Sequence, residues 1–545
     1  MAPSTHTVTN QPPPLVGHDV FTSDRALAEA VERHLAPEVL PEAREELAAL
    51  GVATGSVQVR EWGERANANP PRLRTHDRYG HRIDEVEFDP AWHRLLGRSV
   101  GAGLTNAWGR PGGHVRRAAG FLVVSQAEAG HGCPLSMTHA AVPALRAEPE
   151  LAEVWEPAAL SSVYERELRP VAEKPGVLLG MAMTEKQGGS DVRTNTTEAR
   201  PLAADGEYVL TGHKWFCSAP MSDGFLVLAQ APEGLTCFLV PRVLADGSRN
   251  AFALQRLKDK LGNRSNASAE VEFDGTTWAR RVGEEGRGLG TVMGAVAATR
   301  LDCVLGSAAL MRQAVTQAVH HCAHRGAFGG LLVDKPLMRN VLADLALESE
   351  AATVLGMRLA AAYDAGTERE RALLRIAVPA AKYWVTKRCT PLVAEALECL
   401  GGNGYVEESG MPRLLRESPV NSVWEGSGNV QALDVVRVLR TEPAALDALL
   451  REVGAARGAD HRLDRAIREL LGELADLDGV EARARRLAER LALVLQGALL
   501  VRWAPPEVAD AFCAARLGGD GGAAFGTLPH TLDLRSLVER ARVET

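Results

Sequence analysis

Apolar positions recur every three to four residues along most of this chain, and the rhythm changes in one stretch only. Residues 24 to about 170 predict helices interrupted by polar and Pro/Gly loops such as ANANPPRLR. From about 180 the runs shorten. YVLTGHKWF, FLVLAQ, LTCFLVP and AEVEF are rich in β-branched and aromatic residues, with turn signals at Asp205-Gly206 and Asp246-Gly247 between them. They predict a small antiparallel β domain. The helical period returns at Gly288 in TVMGAVAATRLDCVLGSAALMRQAVTQAVHHCAH and continues through 336–364, 368–400 and 429–440. At Thr441-Glu442-Pro443 the pattern breaks, with the proline placed to open a new helix. A last helical block follows, and its Gly-rich tail RLGGDGGAAFGTLP is expected to be poorly ordered. The reading is α+β, mostly α: residues 1–180 helical, 181–285 β, 286–440 a helical bundle and 441–545 a helical extension. Alternating βαβ units are missing from this order, which argues against a Rossmann domain.

At 545 residues the chain is longer than one compact core, so several domains are expected. A formal charge of −8 disfavours a surface that coats nucleic acid or anionic membrane as a whole. The apolar run LALVLQGALLV, Leu491 to Val501, is too short to cross a bilayer and reads as a buried helix. MAPSTHTVTNQPPP has neither the basic start nor the apolar core of an export signal. The eight cysteines form no CxxC and read as reduced, mostly buried thiols. A cytoplasmic protein with no membrane association is expected.

Several motifs carry chemistry only in combination. GEEGRGLG, Gly283 to Gly290, lacks the strand-and-helix context of a nucleotide loop and reads as a flexible entry to the long helix. His320 and His324 stand one helical turn apart with Cys322 between them, but no third ligand is evident, so no metal is expected. No serine-hydrolase nucleophile elbow is expected. TEKQGGSD, Thr184 to Asp191, offers glycine-freed amides and hydroxyls suited to a heteroaromatic ring or a diphosphate; taken alone it reads rather as a capped turn opening a helix. GHKWFCS places an indole, Trp215, on a strand. LGGNGY puts three glycines behind a helix, as a C-cap or as backbone that something approaches closely. In NSVWEGSGN the carboxylate of Glu425 is either a helix-start acid or a base.

Taken in order, MAMTEKQGGSD, GHKWFCS, KLGNRSNASAEVEFDG, GEEGRGL, HRGAFG, LGGNGY and VWEGSGN resemble the acyl-CoA dehydrogenase superfamily from about 110 to 440. THTVTNQPPPL, RANANPPRLRTHDRYGHRIDEVEFDPAWHRLL and the C-terminal extension resemble its AidB branch, the adaptive-response proteins linked to DNA alkylation. The resemblance implies a helical domain, a central antiparallel β-barrel or sandwich, a four-helix bundle with an added helical extension, one FAD per subunit and a homotetramer.

It also implies roles. Met183, Thr184, Gly189 and Ser190 would contact the flavin ring and diphosphate, while Trp215, Phe216 and Ser218 line the isoalloxazine. Arg325 and Phe328, with Gly401 and Gly402, would reach the FAD of a neighbouring subunit; Trp424 and Asn429 lie beside the cofactor. Glu425 fills the place of the catalytic carboxylate, which removes the proton α to an acyl-CoA thioester while the β-hydrogen leaves to the flavin.

Some positions depart from the family pattern. Trp424 replaces a Tyr or Ile, Ser427 a Thr and Glu398 a Gln, and Thr299 precedes Arg300 where a branched-chain variant keeps its base. Trp424 would narrow an acyl pocket, and Arg437 would place a charge along it. Two functions are expected from these residues: an AidB-type flavoprotein that binds double-stranded DNA through its extension with weak dehydrogenation, or an ordinary short- or branched-chain acyl-CoA dehydrogenase. From Thr441 onward 14 Arg face 17 acids, a poor footprint for DNA. The local candidates are Arg483, Arg486 and Arg490 on one helical face, with Arg462, Arg465 and Arg468 as a second cluster.

Overall fold

Strand Gly224–Ala231 is buried on both faces, so its sequence FLVLAQ is a continuous apolar run rather than an alternating one. Phe225, Val227 and Ala229 point to one side and meet Phe238, Val240, Phe252 and Phe273. Leu226 and Leu228 point to the other and pack with Cys237, Leu239 and Val282 against helical residues Met137, Ala144, Trp155 and Val292. This two-residue period decides which part of the sheet faces its own interior and which faces the helices.

The protein is described by a computed structural model covering residues 5–543. They form two compact units, one of Gln58–Asp302 and one of the described residues up to Val57 together with those from Cys303 onward. The units cut across the segments expected from sequence. Residues before Val57 belong with the C-terminal helices because helix Arg25–His34 packs on helix Pro336–Ala365.

In the unit Gln58–Asp302 seven strands form the sheet, from Leu179–Ala182 to Ser268–Val282. Strand Gly224–Ala231 pairs with Gly234–Pro241, which pairs with Ser268–Val282 and through it with Glu207–Ser218 and Glu198–Pro201. A single bridge from Glu198 to Gln230 closes the ring, so the sheet is barrel-like. It is not wholly antiparallel as expected: Leu179–Ala182 runs parallel to Gly224–Ala231. Helices Gly113–Ser125 and Gly132–Leu145 are buried nearly all round, so neither shows a polar stripe. The segment around ANANPPRLR is not merely a loop. It leads into an antiparallel hairpin, Arg72–His76 with Arg82–Glu87, whose turn is tied by Asp77 accepting from the amides of Tyr79 and His81.

The other unit is a bundle of long helices, including Pro336–Ala365, Glu368–Cys399 and Gly428–Thr441. Gly366 ends the first in the left-handed conformation, and Thr367 caps the next by accepting from the Glu370 amide, which reverses the chain in two residues. Helix Gly288–His324 is long and apolar enough to cross a membrane, yet 78% of that window is buried in the protein. Helix Ala484–Trp503 buries most of LALVLQGALLV. The Gly-rich tail, expected to be poorly ordered, packs instead. Asn340 exchanges two hydrogen bonds with the Leu528 backbone, Asp344 accepts from the Gly526 amide, and Phe525 is buried beneath Arg388. All eight cysteines are free thiols and seven are buried.

Candidate active site

The turn TEKQGGSD and the strand GHKWFCS are held together by one buried ion pair. Lys214 Nζ donates to Glu185 Oε1 at 2.8 Å and to the Leu228 carbonyl at 2.7 Å. Glu185 also accepts from Gln187 and from the Thr196 and Thr197 amides. Both side chains are fully buried. Burial works to raise the Glu185 carboxyl, but the bonds from Lys214 and the threonines outweigh it and hold it well below the usual range. Burial pulls Lys214 down to about 8 against that same pairing.

On either side of this pair the chain bends toward the surface. Lys214 pairs with Val271 and Cys217 with Ala269, so Trp215 and Phe216 together oppose the single residue Glu270. The resulting bulge re-aims both rings. The Trp215 amide then donates to the Thr184 carbonyl at 2.8 Å, which draws the turn beside the indole. A Cβ at Gly189 would stand 2.5 Å from Thr184 Oγ1, so only glycine lets the turn close. Met183 and Thr184 are half-buried, Ser190 and Phe216 exposed, and Ser218 Oγ lies 3.4 Å from Ser268 Oγ. Lys258 Nζ sits 3.4 Å from the Trp215 ring centroid and, with Arg256, is bonded to Glu270.

In the second unit Glu425 lies just ahead of helix Gly428–Thr441 with φ at +56°, a conformation that strains any residue with a Cβ. The strain is held from within. Gln431 Nε2 donates to the carbonyls of both Glu425 and Gly426, and Lys382 Nζ donates to Gly426 at 2.8 Å. Gln431 is 0% and Lys382 1% exposed. The helix cap is Ser427, so Glu425 is not a helix-start acid. Glu425 is half-buried, Asn429 exposed, and Trp424 Nε1 donates to Asn421 at 3.0 Å. Arg437 is exposed and turned to Asp434 at 2.6 Å, which also holds Arg375.

Arg325 precedes a two-residue-strand hairpin, Gly326–Ala327 with Gly330–Leu331, whose tip is Phe328 at φ +51° and 93% exposed. Gly401 has φ +60°; Gly402 does not, and nothing lies within 4 Å of where its Cβ would stand. No internal contact therefore requires glycine at 402, whereas Gly404 would strike the Leu397 carbonyl. Bare exposed backbone, a surface aromatic and unburied hydroxyls suit a large heteroaromatic diphosphate. Each unit by itself offers residues that fit FAD: Thr184, Ser190, Trp215 and Ser218 in one, and Arg325, Gly401 and Gly402, which the resemblance gives to the FAD of a neighbouring subunit, in the other.

Two of the three arginines assigned to DNA are paired with acids, and the third is bonded to backbone. Arg486 reaches Glu473 at 3.1 Å, Arg490 reaches Glu473 and Glu469, and Arg483 donates to the Asp476 carbonyl. Arg462 binds Asp460 and Asp510. The His320 ring donates to the Pro13 carbonyl, and no metal-ligand cluster exists among the described residues. Sequence reasoning passed over Lys214, Glu185, Lys382 and Gln431. Lys214 sits inside a quoted motif, but nothing local marks Lys382, a cation in a mid-helix run, as a partner of a loop 44 residues on.

Comparison with known proteins accords with this geometry. Residues 10–166 match the adaptive response protein AidB N-terminal domain, 180–276 the acyl-CoA dehydrogenase middle domain and 286–440 its C-terminal domain. AidB of Escherichia coli (strain K12) is 47% identical over 525 residues, 95% of each chain. The crystal structure of Caenorhabditis elegans ACDH-11 in complex with C11-CoA superposes with a TM-score of 0.85 at 26% identity, covering 94% of both chains. A glutaryl-CoA dehydrogenase from Mycobacterium smegmatis in complex with FADH2 shares the fold, with a TM-score of 0.57 at 17% identity over 75% of this chain and 96% of its own. The chain belongs to the AidB branch of the acyl-CoA dehydrogenase family.

Proposed function

We propose that the protein is an FAD-dependent oxidoreductase acting on an acyl-CoA thioester, with Glu425 as the base that takes the proton α to the carbonyl. When bound, FAD supplies the two-electron acceptor for the β-hydrogen. The chain's own work is positional. Lys382 and Gln431 fix the two peptides that follow Glu425, and the Glu185–Lys214 pair fixes the turn beside Trp215. The observation that carries the reading is Glu425 itself: an acid outside the cap position, in a strained conformation braced by two buried side chains. The C11-CoA complex of the nematode neighbour supports the thioester class. Exposed Phe328, Leu337, Tyr405 and Val423 support a homotetramer that would cover them.

Membership of the AidB branch supports a role in the response to DNA alkylation. We assign no duplex-binding role to the Arg483–Arg490 face, because Arg486 and Arg490 already pair with Glu473 and Arg483 is tied to a backbone carbonyl.

The test is a visible spectrum of the purified protein with FAD, followed by titration with isovaleryl-CoA, longer acyl-CoAs and duplex DNA. Acyl-CoA is expected to bleach the oxidised flavin. Glu425→Gln is expected to slow bleaching by about 10²–10⁴-fold while flavin content is unchanged. Equal bleaching by both proteins would remove Glu425 from the chemistry.

A further inference from the structure

The segment before the first helix carries TNQPPPL, and its Asn10, Gln11 and Pro13 meet helical or turn elements far along the chain. Asn10 Nδ2 donates to the Gly326 carbonyl at 2.8 Å, and the Gly326 amide donates back to Asn10 Oδ1 at 2.7 Å. The side-chain amide thus serves Gly326 as a strand neighbour's backbone would. Arg325 Nη1 donates to the Asn10 carbonyl at 2.5 Å. Gln11 lies 3.5 Å from the Asn403 amide, beside the Gly401-Gly402 turn. The His320 ring donates to the Pro13 carbonyl, and Leu15 is 2% exposed.

These contacts fall on Arg325 and the glycine turn, fitted to FAD above, and on the hairpin whose Phe328 the family resemblance places at the flavin. That hairpin is weak by itself. Its strands are two residues long, three of its residues are glycine, and its tip holds an exposed phenylalanine at positive φ. Three consecutive prolines limit what the arm loses in freedom on docking.

We propose that the N-terminal arm is a strap for the cofactor: Asn10 is a positioning residue that holds the Arg325–Phe328 hairpin in the shape that grips FAD. This rests on the assignment of that hairpin to FAD. Asn10 has φ +57°, so Asn10→Gly removes the amide without straining the backbone, and Asn10→Asp keeps the acceptor but loses the donor.

The experiment strips flavin from the full-length protein and its variants, then titrates FAD and reads flavin fluorescence and the melting temperature with and without FAD. Asn10→Gly is expected to weaken FAD binding about tenfold, Asn10→Asp by less, with the melting temperature of the flavin-free protein little changed. Arg325→Ala serves as the reference for the hairpin. If Arg325→Ala weakens FAD binding and Asn10→Gly does not, the strap is wrong and the hairpin assignment stands. If neither changes FAD binding, the hairpin assignment fails and the strap fails with it.

Discussion

Lys382 donates to a carbonyl next to the proposed base, and its ammonium is almost wholly buried to do so. A left-handed residue with a Cβ costs roughly 1–2 kcal/mol, so the loop keeps that shape only while its carbonyls are held. Lys382→Met and Gln431→Leu preserve bulk and remove the donors. Each is expected to reduce the acyl-CoA-driven bleaching rate by roughly 10²-fold, through misplacement of Glu425, with FAD content unchanged. Stopped-flow absorbance reads this directly, and bleaching at the native rate in both would show that the loop needs no bracing. The carboxylate and its odd neighbours were legible at this scale, because VWEGSGN is contiguous. Its braces were not: Lys382 comes from a helix 44 residues earlier, and no local pattern links the two.

Among elements, the turn Thr184–Asp191 and the strand Glu207–Ser218 depend on one ion pair for their mutual placement. Lys214→Met leaves Glu185 buried and uncompensated, which is expected to destabilise the protein by about 3–5 kcal/mol; urea unfolding measures it. The double change with Glu185→Gln is expected to recover part of that loss, since the buried charge is removed and the one amide oxygen can still accept from Thr196. Helix Ala484–Trp503 offers the contrasting case. Its Arg486 and Arg490 are paired to Glu469 and Glu473 of the preceding helix, His461–Leu474, on a solvated surface. Arg486→Gln with Arg490→Gln is expected to cost no more than about 1 kcal/mol and to leave any salt-sensitive binding of duplex DNA unchanged. A lost duplex shift in a native gel would return that face to consideration.

For the molecule as a whole, pH sensitivity follows from buried imidazoles. Burial, helped by Arg33, pushes His34 down to about 4, and burial with Arg117 pushes His114 down to about 3. His139, stacked on Trp108, is held well below its ordinary value by burial and Arg117. A histidine depressed in the folded state stays neutral while the unfolded chain takes up a proton. Stability is therefore full above about pH 6.5 and is lost as pH falls toward 4, at up to about 1.4 kcal/mol per pH unit for each group. Asp223 works in the other direction, since burial raises it to about 6 and its penalty is relieved on acidification. The histidines outnumber it, so the melting temperature is expected to decline steadily between pH 6.5 and 4. A flat profile over that window would show these rings already wet in the folded protein.

The order helical, β, helical was readable because hydrophobic period is a local property: 3.6 residues where one helix face is covered, continuous where a strand is covered on both sides. The chemistry-bearing motifs were readable for the same reason, each being a single turn or strand end. Tertiary structure alone decided the rest. The hairpin after ANANPPRLR, the packed Gly-rich tail and the grouping of residues 5–57 with the C-terminal helices all depend on partners distant in sequence. So does the pairing of Arg486 and Arg490 with Glu473. A charge or a glycine has meaning only against what stands opposite it, and what stands opposite is set by the folded chain.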